Sequence, residues 1–164
     1  MPADYDQLTA GDVMQRDVVV VGRRDSLQEA MELMTENHVT GLPVMDSKSR
    51  CIGVISATDI LNYEQDHSEF ATEANSDVAR HYNADLQRWE SVRVTSFALE
   101  EFSHVLVEDV MARDLIAVAR DTPLREVARR MVREKIHRVL VLDDGQRLYG
   151  IISSFDFVQF VAGE

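Results

Sequence analysis

Two seven-residue stretches carry the side chains best suited to chemistry: Gly53-Val54-Ile55-Ser56-Ala57-Thr58-Asp59 and Gly150-Ile151-Ile152-Ser153-Ser154-Phe155-Asp156. In each, a glycine lets another backbone or a ligand come close, a serine offers a hydroxyl at a strand end, and an aspartate three residues on offers two acceptor oxygens. A nucleotide would use all of these, with the serine and a helix N-terminus facing phosphate and the aspartate accepting from both ribose hydroxyls. Ser-x-x-Asp is also the pattern of a helix cap that needs no ligand. Taken alone, the residues leave both uses open.

A second pair of stretches precedes the middle strand of each region: Val39-Thr40-Gly41-Leu42-Pro43-Val44 and Ile136-His137-Arg138-Val139-Leu140-Val141. His137-Arg138 sets a titratable imidazole beside an anion-binding guanidinium, which suits a phosphate. Thr40-Gly41 keeps a hydroxyl and close approach but no charge. The plainer alternatives are a surface ion pair for Arg138 and a half-buried strand position for His137. Catalytic groupings are thin, and no catalytic residue is assigned. The five histidines are scattered without HxxxH or HExxH spacing, no glycine-rich phosphate loop occurs, and Cys51 in an apolar strand is a poor nucleophile. His67 and His81 stand among carboxylates and read as a solvated acidic face, so no metal is expected.

These residues are positioned by a duplication. Val13-Met14 recurs as Val110-Met111, 97 positions on, and the register holds without a gap from Asp12/Asp109 to Leu61/Val158. Two copies of a unit of about 50 residues must pack together, because one alone would leave an apolar face in water. Each copy reads β-α-β-β-α. Buried strands are expected at Val18–Val21 and Leu115–Val118, and amphipathic helices carry stripes Leu27, Ala30, Met31, Met34 and Leu124, Val127, Ala128, Met131. Asp25 or Ser26 caps the first helix, and Thr122 caps the second with Pro123 at its first position. Strands Leu42–Met45 with Ile52–Ser56, and Val139–Leu142 with Tyr149–Ser153, flank polar turns, the second with Gly145 suited to positive φ. Closing helices are expected from Thr58 or Asp59 toward Asn62 and from Phe155 to Val161. Between the copies, Ser76, Val78, Tyr82, Leu86 and Trp89 read as a capped amphipathic helix.

The chain of 164 residues has Lys+Arg 17 against Asp+Glu 29, a net charge of −12. That balance repels a phosphate backbone or an anionic membrane and argues against nucleic-acid partners. The charge is polarised: residues 62–107 hold nine Asp+Glu and three Arg, whereas Arg113–Arg138 holds eight Lys+Arg and four Asp+Glu. A cationic island therefore sits beside Ser153 and Asp156 in sequence. Apolar runs fall far short of the ~20 residues that span a bilayer. The start MPADYDQL lacks the basic and apolar regions of a signal peptide, so a cytoplasmic location is expected. A lone cysteine excludes an internal disulfide.

The duplicated unit, with Asp-Val-Met at its entrance and Gly-h-h-Ser-x-x-Asp at its exit, resembles a tandem CBS-domain pair, or Bateman module, of the stand-alone bacterial type. The resemblance spans about 12–61 and 109–158. It implies an α+β fold of two pseudo-twofold-related β-α-β-β-α repeats in one compact module, organised as repeat 1 (8–66), an acidic and partly helical insert (67–104) and repeat 2 (105–164). It implies a non-catalytic regulator that senses an adenine nucleotide (AMP, ADP or ATP, ahead of NAD or S-adenosylmethionine) in the cleft between repeats, with no catalytic cofactor. A homodimer through the repeat helices and an unidentified regulated protein would be its partners. By the same resemblance, Asp59 and Asp156 match the ribose-binding aspartate, and Ser56 and Ser153 the phosphate-side hydroxyl. His137-Arg138 is similar to the phosphate-contacting pair of the γ subunit of AMP-activated kinase. Adenine would lie near Val19 and Ile116, between Val39 and Ile136 as walls. The stronger site is expected at Ser153, Asp156, His137 and Arg138, the other at Ser56, Thr58, Asp59, Thr40 and Gly41. Val20 and Ala117 depart from the hydroxyl residue common late in the family's entrance strand. The competing reading is a structural dimerisation or adaptor protein whose Ser-x-x-Asp motifs are only caps.

Overall fold

The computed structural model describes residues 7–67, 77–83, 88–94 and 102–163. Their contacts divide into two units. One contains the chain up to Val18, Lys48–Cys51 and the chain from Asp114 onward; the other contains Val19–Ser47 and Ile52–Arg113.

The unit around the first repeat holds β1 (Val21–Gly22), α2 (Leu27–Glu36), β2 (Gly41–Met45), most of β3 (Cys51–Ser56), α3 (Ala57–His67) and α4 (Val107–Val110). Its sheet runs β1-β2-β3, with β1 parallel to β2 through Val21↔Val44. Leu27, Ala30 and Met34 of α2 are buried against Val21, Leu42, Val44, Ile55, Val107 and Met111, so the stripe expected of this helix faces the core, with Met31 at its edge. Ser26 caps α2: its Oγ accepts from the Glu29 N–H at 3.2 Å, and the Glu29 carboxylate accepts from the Ser26 N–H at 2.7 Å. Those bonds, first from the backbone N–H and then from the hydroxyl, hold the Glu29 carboxyl below its ordinary range.

The unit around the second repeat repeats this plan with α1 (Ala10–Val13), β6 (Ala117–Val118), α5 (Leu124–Glu134), β7 (Arg138–Leu142), β8 (Leu148–Ser153) and α6 (Ser154–Ala162). Val127 and Met131 of α5 pack with Ala10, Met14, Val118, Val139, Val141 and Ile152. The matching backbone bonds obey the 97-residue register. In one unit Ala10 N–H donates to Thr122 O (2.8 Å), Gly11 N–H to Arg120 O (2.8 Å) and Leu124 N–H to Leu8 O (2.8 Å). In the other, Val107 N–H donates to Asp25 O (2.9 Å), Glu108 N–H to Arg23 O (3.0 Å) and Leu27 N–H to Val105 O (2.9 Å). The segment that opens each repeat in sequence thus closes the unit built on the other repeat's sheet.

This exchange shortens the entrance strands. The chain passes from one unit to the other between Val18 and Val19 and again between Arg113 and Asp114. Ladder pairing therefore begins only at Val21 and Ala117, later than the apolar runs suggest. Two other expectations are corrected. Pro123 occupies the N-cap of α5, with ψ 136° and no side-chain cap bond, because its register mate is Ser26 and not Asp25. Positive φ in the two hairpin turns falls on Ser49 (59°) and Gln146 (63°), again register mates, and not on Gly145.

The helix expected across Ser76–Trp89 is overturned. β4 (Asp77–Asn83) and β5 (Arg88–Val94) form an antiparallel hairpin whose Cα partners run from Asp77↔Val94 to Asn83↔Arg88. Ser76 and Leu86 lie outside the described residues. A spacing of four satisfies both a helical face and a strand's two-residue alternation, so Val78 and Tyr82 fit either. The β-branched and aromatic content of the two segments, with Tyr82 opposite Trp89, favours the strand.

Candidate functional site

In the first-repeat unit, β2 and β3 bring the entry of one strand beside the exit of the other. Ala57 N–H donates to Thr40 O at 2.9 Å. A Cβ placed on Gly41 would lie 3.3 Å from Ile55 O, tighter than ordinary contact, and 3.8 Å from the Ser56 Cβ, so glycine lets β2 start here without crowding the Ile55 carbonyl. Ser56 and Asp59 engage each other. The Ser56 N–H and hydroxyl donate to Asp59 Oδ2 at 2.8 and 2.7 Å, and the Asp59 N–H donates to Ser56 Oγ at 3.1 Å. Among the described residues, Asp59 Oδ1 has no partner, and the side chain is half-exposed. The aspartate is thus held by one oxygen and offers the other.

The second-repeat unit has the same frame. Arg138 and Ser153 are Cα partners, and Ser154 N–H donates to His137 O at 2.9 Å. The Ser153 N–H and hydroxyl donate to Asp156 Oδ2 at 2.6 and 2.8 Å. Here the second oxygen is taken: the Gln15 side-chain amide donates to Asp156 Oδ1 at 2.6 Å. An open depression of about 190 Å3 lies beside Asp156, lined by Val13, Gln159 and Phe160. In both units, therefore, the Ser-x-x-Asp motif forms a reciprocal cap, and of the two aspartates Asp59 keeps an oxygen with no partner among the described residues.

The other expected residues fall into the same two groups. Val19 and Val39 are half-buried against the first core, and Ile136 against the second. Ile116 is half-buried, its carbonyl accepting from Leu140 N–H at 3.3 Å. His137 and Arg138 are exposed at the start of β7, and Thr58 is exposed on the first turn of α3. The glycines of the two motifs serve the entrance segments. A Cβ on Gly150 would fall 2.6 Å from Gln15 O, and one on Gly53 would fall 2.7 Å from Ala112 O. Met14 and Met111 lie over these glycines and are buried, which makes them core residues.

Two residues escaped the sequence reading. Gln15 is one; its register mate is Ala112, a departure visible only once Asp156 is known to be its neighbour. Arg130, in place of Leu33, is the other: its Nη1 donates to Ala117 O at 2.8 Å, and its buried Nε has no partner. His67 is accounted for locally, stacked on Tyr63 with centroids 4.0 Å apart and its Nδ1 2.9 Å from Tyr63 O. Among the described residues no group of three or more His, Cys, Asp or Glu is placed to hold a metal, and no helix is long and apolar enough to cross a membrane.

Comparison with known proteins places this frame. The CBS domain family matches residues 10–66 and 107–163. An uncharacterised protein of Methanocaldococcus jannaschii is 29% identical over 155 residues, 90% of this chain and 88% of its own. CBSX2, a chloroplastic CBS domain-containing protein of Arabidopsis thaliana, is 27% identical over 161 residues, 97% of this chain and 66% of its own. A crystal structure of CBSX2 in complex with AMP aligns with a TM-score of 0.67 at 26% identity, covering 94% of this chain and 96% of that one. The CBS domain pair of protein MJ0100, in complex with 5′-methylthioadenosine and S-adenosyl-L-methionine, shares the fold at a TM-score of 0.64 and 19% identity, over 95% of this chain and 97% of that one. Matched once by each copy of its internal repeat, and built on the same capped strand exit in both, the chain belongs to the CBS domain family and carries two CBS domains in tandem.

Proposed function

We propose that the chain is a non-catalytic regulatory module that binds an adenine nucleotide of the AMP, ADP or ATP class. The observation that carries this reading is the half-satisfied aspartate: Asp59 is oriented by Ser56 through Oδ2 and presents Oδ1, an acceptor for a ribose hydroxyl, beside the close β2–β3 approach at Gly41. The complex of CBSX2 with AMP supports the choice of ligand class. In this reading Val19 and Val39 flank the base at the first-repeat half-set, and Ile116 and Ile136 at the second. Arg138 and His137 meet phosphate, since an exposed guanidinium and imidazole at a strand mouth are suited to an anion. Regulation follows if the nucleotide binds one conformation of the chain better than another, the difference being read by a partner protein.

A differential thermal-shift panel of AMP, ADP, ATP, NAD and S-adenosylmethionine tests this. A ligand at 100 times its Kd stabilises by about 2.7 kcal/mol, or a Tm rise of roughly 5–10 °C for a chain of this size. An adenine nucleotide should raise Tm, with Asp59→Ala reducing the rise. Unchanged melting with the whole panel at millimolar concentration would overturn the reading.

A second reading is favoured by a separate observation. Phe155, Val158 and Val161 of α6 are 63%, 59% and 73% exposed, three apolar side chains at helical spacing that water would otherwise cover. A homodimer through α6 accounts for that face and is compatible with nucleotide binding. It would be the whole function if Ser-x-x-Asp served only as a cap.

A further inference from the structure

We infer that Gln15 is an internal competitor for the ligand at Asp156, making the second-repeat site the weaker of the two; the inference rests on the nucleotide reading above. A ribose diol must donate to the aspartate, and in each copy Oδ2 already accepts twice, from the N–H and the hydroxyl of the capping serine. Oδ1 is the remaining acceptor. At Asp59 it has no partner among the described residues; at Asp156 it accepts the Gln15 amide at 2.6 Å.

The latch is built into the frame. Gln15 N–H donates to Ile151 O at 2.9 Å and Ile151 N–H returns to Gln15 O at 3.0 Å, so the backbone of Gln15 is pinned to β8 just before Ser153. The register mate Ala112 is pinned to Val54 by the same pair of bonds, both 2.9 Å, but has no side chain to reach Asp59. One residue difference on an otherwise duplicated backbone thus opens one aspartate and closes the other. With one acceptor position of Oδ1 held by Gln15, accepting from both ribose hydroxyls requires Gln15 to let go, so the apparent Kd there is the intrinsic value divided by the fraction of time the latch is open. This reverses the ranking that His137 and Arg138 alone suggest: they add phosphate affinity at a site whose ribose acceptor is already partly engaged.

Isothermal titration calorimetry with AMP on the full chain tests the inference. The parent should show a tighter and a weaker event. Gln15→Ala should tighten the weaker event about fivefold, the factor expected for removing a hydrogen bond worth about 1 kcal/mol, and leave the tighter one unchanged. Asp59→Ala should abolish the tighter event. A Gln15→Ala protein whose weaker event is unchanged or weakened overturns the proposal, as does loss of the tighter event in Asp156→Ala. A nucleotide-free measurement separates this from failure of the underlying reading. In the apo protein the one Gln15 amide proton donated to Oδ1 should be shifted and exchange more slowly than its geminal partner, and both signatures should vanish in Asp156→Ala. If they persist there, the latch is refuted; if they vanish but no variant binds AMP, the latch stands and the nucleotide reading falls, taking the competition with it.

Discussion

Gly150→Ala is the sharpest test of how the repeats are closed. A methyl at this position would sit 2.6 Å from the Gln15 carbonyl oxygen and 2.9 Å from the Cγ and Sδ of Met14, about 1 Å inside ordinary contact. Met14 could swing aside at modest cost, but the carbonyl accepts from Ile151 N–H, and the N–H of the same residue donates to Ile151 O, so this backbone is held by two bonds. The entrance segment must therefore move. Forcing a methylene into a packed site costs about 1–3 kcal/mol, and stretching the two bonds adds about 0.5–1.5 kcal/mol each. Replacing a strand glycine returns roughly 0.5–1 kcal/mol of chain entropy. The net loss is about 3 kcal/mol, read in urea unfolding as a lower midpoint at unchanged slope. In a thermal melt it is a Tm lower by roughly 6–12 °C. Gly145→Ala is the control. Its nearest neighbour would be Asp143 Oδ1 at 3.3 Å in an exposed turn, so a change within about 0.5 kcal/mol is expected. If the two substitutions were equally well tolerated, the close docking of the entrance segment on β8 would be refuted.

Two further expectations follow from the caps and the exposed helix. Ser26→Ala should cost about 1 kcal/mol at neutral pH. The Ser26 backbone N–H, kept in the variant, is the main cause of the lowered Glu29 pKa and the hydroxyl the second; the part linked to the hydroxyl is present above the unfolded pKa and is lost as pH falls through the folded one. The gap between parent and variant melts should therefore narrow below about pH 4, and a gap that widened with acid would contradict the assignment. For the α6 face, Val158→Glu should convert a dimer to a monomer by light scattering. A parent that is already monomeric, or a variant that stays dimeric, would remove α6 as the interface.

The frame was legible because duplication makes periodicity visible twice. Leu27, Ala30 and Met34 and their mates Leu124, Val127 and Met131 face their cores as their spacing requires. What escaped the sequence was set by non-local geometry. The apolar runs at Val18 and Leu115 promise longer strands, but a chain that crosses between units there can pair only from Val21 and Ala117. The β4–β5 hairpin was hidden because a four-residue spacing is shared by helix and strand. At the candidate site, residue types identified Ser56, Asp59, Ser153 and Asp156. They could not tell a cap from a ligand contact, because that distinction depends on whether the carboxylate oxygen that the cap leaves over is engaged by another side chain.

That distinction explains how one frame can serve two chemistries. The bonds that fix it are made by backbone groups, from Ala10–Thr122 and Val107–Asp25 to Gln15–Ile151 and Ala112–Val54, and are indifferent to the side chains that carry them. Side chains are then free to diverge at the positions around each aspartate without disturbing the fold. The register sets Gln15 against Ala112, His137-Arg138 against Thr40-Gly41, Phe155 against Thr58 and Arg130 against Leu33. All four differences put the larger or more charged group in the unit built on the second repeat's sheet, Gln15 reaching it from the entrance of the first. On the proposed reading, the unit of the second repeat combines an exposed Arg138, a latched Asp156 and an apolar helix face, while Asp59 in the other unit keeps an oxygen without a partner among the described residues. Exchanging Gln15 and Ala112 in one double variant should therefore exchange which aspartate is latched, and AMP titration combined with Asp59→Ala or Asp156→Ala would show whether the tighter event moves with the glutamine-free side.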